Sequence, residues 1–224
     1  ESSWIGMAGP AMIEGGGLGK FKPTEIGPID VQSKNGVVDI VAFDEADATA
    51  IAKNVLGIFQ GGIDQWECGD QSQLRKLMPE DRRYVYDVRK IITTIADSHS
   101  YIELRENDGR GIVTAFIRIE GKAMGLIAND CKVLGGAIDS AGAEKAARFL
   151  QLCNGYNLPI LSLCDTPGFM VGPDNEEEAA VRRLSRLFVA GASIEVPLIT
   201  IFLRKGYGLG AMAMAGGSFA NPSY

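Results

Sequence analysis

Pro159-Ile160-Leu161-Ser162-Leu163-Cys164 is a short apolar run that breaks abruptly into Asp165-Thr166-Pro167-Gly168-Phe169. A second run, Pro197 to Leu203, breaks into Arg204-Lys205-Gly206-Tyr207-Gly208-Leu209-Gly210-Ala211. Neither run alternates polar and apolar residues, so each reads as a strand buried on both faces, as parallel strands between helical layers are. Between them, Glu176 to Ala190 reads as a helix with acidic residues at its start, where the helix dipole favours them. Tyr207 to Ala215 reads as a last helix of small, soft residues. Working upstream, Ala143 to Cys153 is a helix entered through the cap-type pair Asp139-Ser140. Before it, Ile112–Ile119 and Lys122–Ala128 form a hairpin that turns at Glu120-Gly121. The order hairpin, helix, strand, helix, strand, helix predicts an α/β fold with parallel pairing. Ligands of open α/β folds gather at the C-terminal ends of such strands, so the turns at 165–169 and 204–211 are the candidate site.

The first third is less regular. Residues 4–19 are rich in Gly, Met and Ala, a linker or a tightly packed turn. Asn35-Gly36 is a turn signal before a predicted strand, Val37 to Val41. Asp44 precedes a predicted helix to about Phe59, with Ala46, Ile51, Val55 and Ile58 on its apolar side. Residues 61–82 read as a linker. Asp81 then caps a predicted helix, Arg83 to Asp97, whose Tyr84, Val88, Ile91, Ile92 and Ile95 recur at helical spacing.

Composition narrows the chemistry. The 224 residues are 46% hydrophobic and 22% charged, ordinary for a globular protein, and enough to bury roughly 70% of the surface an unfolded chain exposes. A net charge of −6 argues against nucleic acid as a partner. His99 is the single histidine, which argues against a Ser-His-Asp triad or a multi-histidine metal site. It follows a predicted helix and reads as a dipole partner or surface residue rather than a catalyst. Cys68, Cys131, Cys153 and Cys164 form no C-x-x-C pair, so no metal is expected; three lie in apolar stretches and suit a reducing compartment. That compartment is expected to be the cytoplasm, or the mitochondrial matrix in a eukaryote. No apolar run reaches the roughly 18 residues of a membrane helix. Glu1-Ser2-Ser3-Trp4 is no signal peptide, and the lack of a starting Met, with the bare end Pro222-Ser223-Tyr224, suggests a piece of a longer polypeptide.

The glycine turn at 204–211 admits three readings. Gly206, Gly208 and Ala211 fit the dinucleotide pattern G-x-G-x-x-A, but no room remains for the second strand and its acidic ribose ligand. Gly210, Ala211, Ala213, Ala215 and Gly216 fit a closely packed buried helix. The third reading is an anion site, because first-turn N–H groups lack intrahelical partners and can form an oxyanion hole. At the other turn, Asp165 is expected to bond the turn's own amides, while Phe169 and Met170 line a groove or cover the core.

Six stretches in order carry a family resemblance: Tyr86-Asp87-Val88-Arg89, Ile112-Val113-Thr114-Ala115-Phe116, Gly135-Gly136-Ala137-Ile138-Asp139, Glu144-Lys145-Ala146-Ala147-Arg148-Phe149, Asp165-Thr166-Pro167-Gly168-Phe169 and Arg204-Lys205-Gly206-Tyr207-Gly208. Together they resemble the carboxyltransferase component of biotin-dependent acyl-CoA carboxylases of the propionyl-CoA and acetyl-CoA type. The resemblance implies a crotonase-like (ClpP/crotonase) spiral of ββα units, built in two halves. Residues 1–62 would end the first half, 63–82 would link, and 83–224 would be the second half, truncated at its end. It implies carboxyl transfer from carboxybiotin to the α-carbon of an acyl-CoA, with biotin on a carrier as cofactor and no metal. The backbone oxyanion hole of the second half would fall on Leu209 and Gly210, beside Gly208. It would face the biotin ureido oxygen, and a hole in the first half would face the thioester. Gly135, Gly136, Phe169, Tyr207 and Met212 would bind substrate. The family often has Gly-Gly-Ala where this chain has Gly208-Leu209-Gly210, and Asp where it has Met212, which would favour a more apolar acyl group. Expected partners are a biotin carboxyl carrier, biotin carboxylase and further copies in a dimer-based assembly, possibly a hexamer. Family sites lie between subunits, so the chain alone is expected to show little activity. The alternatives are an acyl-CoA decarboxylase or transcarboxylase subunit, and a non-catalytic crotonase-fold interaction module.

Overall fold

The computed structural model describes residues 3–218; Glu1, Ser2 and the terminal Pro222-Ser223-Tyr224 lie outside the described residues. The principal helices are α1 (Glu45–Ile58), α2 (Val88–Ile95), α3 (Ser140–Gly155), α4 (Ala180–Ser193) and α5 (Gly208–Met214). The strands are β1 (Ile102–Leu104), β2 (Ile112–Ile119), β3 (Lys122–Asn129), β4 (Ile160–Thr166) and β5 (Leu198–Gly206), in one sheet of that order. β1–β2 and β2–β3 are antiparallel, and β3–β4 and β4–β5 are parallel, as the strand reading requires.

The β2–β3 turn is the two-residue hairpin expected at Glu120-Gly121, with φ of 50° and 75°. Two left-handed residues give a turn whose twist matches the strands. Asp139 caps α3 by accepting from the Gly142 amide at 2.7 Å, and Asp44 caps α1 through Asp47 at 2.8 Å. Both helices thus start where the cap types placed them.

Successive residues of β2 point to opposite faces, and both faces are covered. Phe116 packs with Phe149 and Leu150 of α3 and Leu187 of α4 in one core. Ile117 packs with Val88, Ile91 and Ile92 of α2 in the other. Leu163 and Cys164 divide β4 between the same two cores.

Several expectations give way to tertiary structure. Residues 37–41 form no strand; their one bond toward the sheet runs from the Arg105 amide to the Asp39 carbonyl, which makes no ladder. Helix α2 starts at Val88, capped by Asp87, rather than at Arg83, because Tyr86 turns inward and leaves the helical path. Asp81 instead closes a local turn on the Arg83 amide at 3.0 Å. The helix expected over 176–190 is broken at Ala179 (φ 58°), so Asp174 and Glu176 head a separate short helix, Pro173–Glu177. Ala46 of α1 is exposed, whereas Ile58 is buried. The β5 strand is not buried: Ile199, Ile201 and Phe202 are 54%, 43% and 55% exposed, since β5 is the last strand of the sheet. Leu74–Leu77, within the 61–82 stretch, is a helical turn whose Leu74 and Leu77 pack on the α2 core.

Strand β3 passes α3 closely at Gly125, where a Cβ would lie 2.3 Å from Cys153 Sγ and 3.1 Å from Phe149. Overpacking a core typically costs about 1–3 kcal/mol. Gly125→Ala is therefore expected to lower the urea-unfolding free energy by about that amount. Adding Cys153→Ala should recover part of the loss, and additive losses would show that the sulfur is not the obstacle.

Candidate functional site

The last turn of β4 carries Asp165 into the interior with no exposed surface. A buried carboxylate needs partners, and this one has three residues' worth. Its Oδ2 accepts from Tyr86 Oη at 2.8 Å and from Arg204 Nε at 3.1 Å. Its Oδ1 accepts from the Lys205 amide at 3.0 Å, and the Lys205 ammonium stands 3.8 Å away. Arg204 also donates to the carbonyls of Arg82 and Tyr84 and lies 5.0 Å over the Tyr86 ring. Burial, then the bond to Asp165, hold the Tyr86 phenol well above its ordinary pKa, so it stays a donor.

Asp165 thus does not bond the amides of its own turn, as its residue type suggested. Thr166 does that instead: its hydroxyl lies 3.1 Å from the Gly168 amide. Asp165 is spent on tying β4 to β5 and to the segment before α2.

This anchor gathers the loops that the sequence singled out. The Tyr207 amide donates to the Thr166 carbonyl at 3.2 Å. The Ile138 amide donates to Gly168, and Met170 donates back to Ile138, at 3.0 and 2.9 Å. Lys205 Nζ donates to the Gly135 carbonyl. At Gly136 (φ 89°) a Cβ would lie 2.3 Å from the Asp165 carbonyl oxygen, and at Gly210 it would lie 2.8 Å from Gly168 Cα. Both glycines are contacts that no larger residue allows. Gly135 (φ 63°) and Gly208 (φ 57°) are different: a Cβ on either meets nothing within 4 Å, so backbone conformation is what they supply, and the space beside them is open.

Helix α5 opens over this space. Tyr207 is its N-cap and offers no side-chain cap. Among the described residues the Leu209 and Gly210 amides have no hydrogen-bond acceptor. Leu209 and Met212 lie three residues apart, 61% and 43% exposed, and so share the outer face of α5. Tyr207 is exposed beside them. Phe169 is half-buried and packs on Phe188 of α4 at 5.9 Å, so it covers the core while edging the site. His99 lies in a loop with Trp66, apart from these turns.

Side-chain chemistry is sparse. Burial pushes the Cys153 and Cys164 thiols up to about 12 and about 11, so neither is a thiolate at neutral pH. Among the described residues no group of His, Cys, Asp or Glu could hold a metal ion. None of their helices is long and apolar enough to cross a membrane. Sequence reading assigned no role to the Tyr86–Asp165–Arg204 cluster. Its signal was present: a carboxylate ending a largely apolar strand demands buried partners.

A mixed parallel-antiparallel sheet with helices on both faces makes this an α/β domain, and the crotonase-like fold follows from its family and from the solved structures it resembles. Residues 1–222 match the model of the carboxyl transferase domain, and the chain belongs to that family. It is 41% identical over 196 residues to the propionyl-CoA carboxylase beta chain of Rhodococcus erythropolis, covering 84% of this chain and 41% of the relative. It is 33% identical to the methylmalonyl-CoA carboxyltransferase 12S subunit of Propionibacterium freudenreichii subsp. shermanii, covering 80% of this chain and 36% of the relative. Among solved structures, a single-chain, multi-domain long-chain acyl-CoA carboxylase superposes with TM-score 0.95 at 58% identity, covering 98% of this chain and 22% of that one. The transcarboxylase 12S hexamer superposes at 0.80 with 30% identity, covering 93% of this chain and 43% of that one. The chain therefore spans about two fifths of the length of these curated relatives.

The two loop glycines should respond differently to a methyl group. Gly135→Ala is expected to cost about 1–2 kcal/mol, the left-handed penalty alone. Gly136→Ala is expected to cost at least about 1–3 kcal/mol more, because it adds a backbone clash. Urea unfolding of both variants checks the order, and equal losses would contradict the contact between Gly136 and Asp165.

Proposed function

We propose that this chain is the second half of a carboxyltransferase, with residues 1–62 closing a first half and 63–82 linking the two. The complete protein would transfer a carboxyl group from carboxybiotin to the α-carbon of an acyl-CoA. The observation that carries this reading is the pair of unengaged amides at Leu209 and Gly210, at the end of β5 beside the 165–169 turn, in a chain of the carboxyl transferase family. Biotin, borne on a carrier that a biotin carboxylase loads, supplies the carboxyl group and the base for the α-proton when docked. Its fit here rests on the two amides and on the open space beside Gly135 and Gly208.

The chain's own part is electrostatic. Leu209 and Gly210 donate N–H bonds to a negatively charged oxygen, and the positive end of α5 favours the same charge. The donors are backbone groups, so Leu209 in place of a second glycine changes nothing in the hydrogen bonds. Gly208 lets the chain turn into the helix without covering them. Gly135, Gly136 and Phe169 wall the opposite side. Tyr207 and Met212 border the entrance, and the thioether of Met212 favours an apolar acyl group. The thioester oxygen would be held by the first half, and further copies in a dimer-based assembly would complete the site. The 58% identity to a single-chain long-chain acyl-CoA carboxylase favours carboxylation, while several other carboxylases, at 27% to 33%, are no more similar than the transcarboxylase at 33%.

Leu209 occupies the second helical position of α5, where an amide has no intrahelical partner and proline is tolerated. In the complete carboxyltransferase carrying this sequence, Leu209→Pro is expected to lower kcat by about 10²–10³-fold, the usual cost of one oxyanion donor. Leu209→Ala should stay within a few-fold of wild type. Equal rates for the two variants, measured as carboxylated acyl-CoA formed, would refute the backbone hole.

A further inference from the structure

Away from the glycine turns, two clefts meet along α3. One, of about 590 Å³, lies between α1, α3 and the sheet, and its walls are largely apolar. Phe59 meets Tyr156 there at 4.6 Å in a tilted pair and Phe116 edge-on at 5.5 Å, and Phe116 meets Phe149 at 5.4 Å. The other, of about 650 Å³, lies between α3, α4 and the loop after β1. Arg105, Lys145, Arg148, Arg183 and Arg186 line it, against Asp108 and Glu144. Arg105, Arg148 and Gln151 line both clefts, so the two adjoin at these side chains. Volumes of this size suit small-molecule sites.

The charges are only partly cancelled internally. Glu144 is held by Arg183 at 2.9 Å and stands 3.5 Å from Arg186, and Glu178 stands 3.6 Å from Arg183. Lys145 is almost wholly buried, and its ammonium donates to the carbonyls of Arg105 and Asp108, not to a carboxylate. Arg148 has no ion pair among the described residues. Arg105 pairs with Asp39 through Nη2 at 2.6 Å, yet its Nε is buried with no acceptor. Arg105 is only 9% exposed, and a buried unpaired donor on a guanidinium is costly to leave empty. That donor is closed to solvent, so an anion at the junction would meet the exposed Arg148 and Arg186.

We propose that the joined clefts bind a single-chain amphiphile, with its alkyl chain against the aromatic wall and a carboxylate or phosphate head among the arginines. None of the residues at 135–136, 165–169 or 207–212 lines either cleft, so this proposal does not rest on the reading of the glycine turns.

Calorimetric titration of the full chain with dodecanoate, dodecyl phosphate, dodecanol and inorganic phosphate tests both halves of the idea. Dodecanoate or dodecyl phosphate, below micelle formation, is expected to bind one to one, at least about tenfold tighter than dodecanol or phosphate, a difference of about 1.4 kcal/mol. The tighter of the two heads identifies a fatty acid or a phosphorylated amphiphile. Gly155 borders the aromatic cleft, and a Cβ there meets nothing within 4 Å, so Gly155→Trp is the substitution that starts into the cleft without a backbone clash. Arg148 is exposed, so Arg148→Glu reverses the rim charge with the fold kept. Each substitution should weaken binding at least tenfold, and should leave inorganic phosphate as weak as before. Dodecanol binding as tightly as dodecanoate, or wild-type affinity in the Arg148→Glu protein, would overturn the proposal.

Discussion

A carboxylate sealed in the protein interior is stable only while its partners stay in place, and that requirement on Asp165 organises the domain. Its charge is met by Arg204 and by the amide of Lys205 from β5, and by Tyr86 from the segment before α2. One residue at the end of one strand therefore fixes the end of the next strand and the approach to a helix on the sheet's other face. Replacing a well-made buried pair by apolar residues is often harmless, but removing one partner leaves a charge stranded, at a cost of about 3–5 kcal/mol. The cluster therefore specifies geometry more than it adds stability. The Asp165 carbonyl abuts Gly136, and the next residues receive the Ile138 and Tyr207 segments through backbone bonds.

That geometry explains why a site can be built from so few reactive side chains. The loops that meet above β4 and β5 contribute amides, carbonyls and open space. Two glycines there are contact glycines and two are conformational ones, a division invisible in composition. The single histidine lies elsewhere, and the Cys153 and Cys164 thiols are held protonated. What remains is backbone polarity, the feature on which the proposed function rests, because preorganised donors cost little reorganisation when charge develops.

Much of this was legible in the residues. The hairpin at Glu120-Gly121, the caps Asp44 and Asp139, and the parallel runs at 160–166 and 198–206 follow from local chemistry, and the structure keeps them. The failures share a cause: a local pattern overridden by a distant partner. Tyr84 and Val88 have helical spacing, but the pull of Tyr86 toward Asp165 moves the helix start to Asp87. Val37 to Val41 has strand-like residues but finds only one backbone bond toward the sheet. The apolar content of β5 suggested burial, yet position at the sheet's end leaves Ile199, Ile201 and Phe202 facing out. The turns of the candidate site were found from their glycines, and the ionic cluster that joins them was not. A long-range pair between residues 86, 165 and 204 leaves no periodic trace in a single sequence.

Amide hydrogen exchange of Asp165→Asn tests most directly whether this carboxylate holds the site together. The substitution keeps shape, removes charge and leaves Arg204, whose side chain is 6% exposed, without its counter-ion. The expected result is lost protection at the Ile138, Lys205 and Tyr207 amides, with the β2–β3 ladder keeping its protection. Wild-type protection at those three amides would show that the turns are held by something other than Asp165.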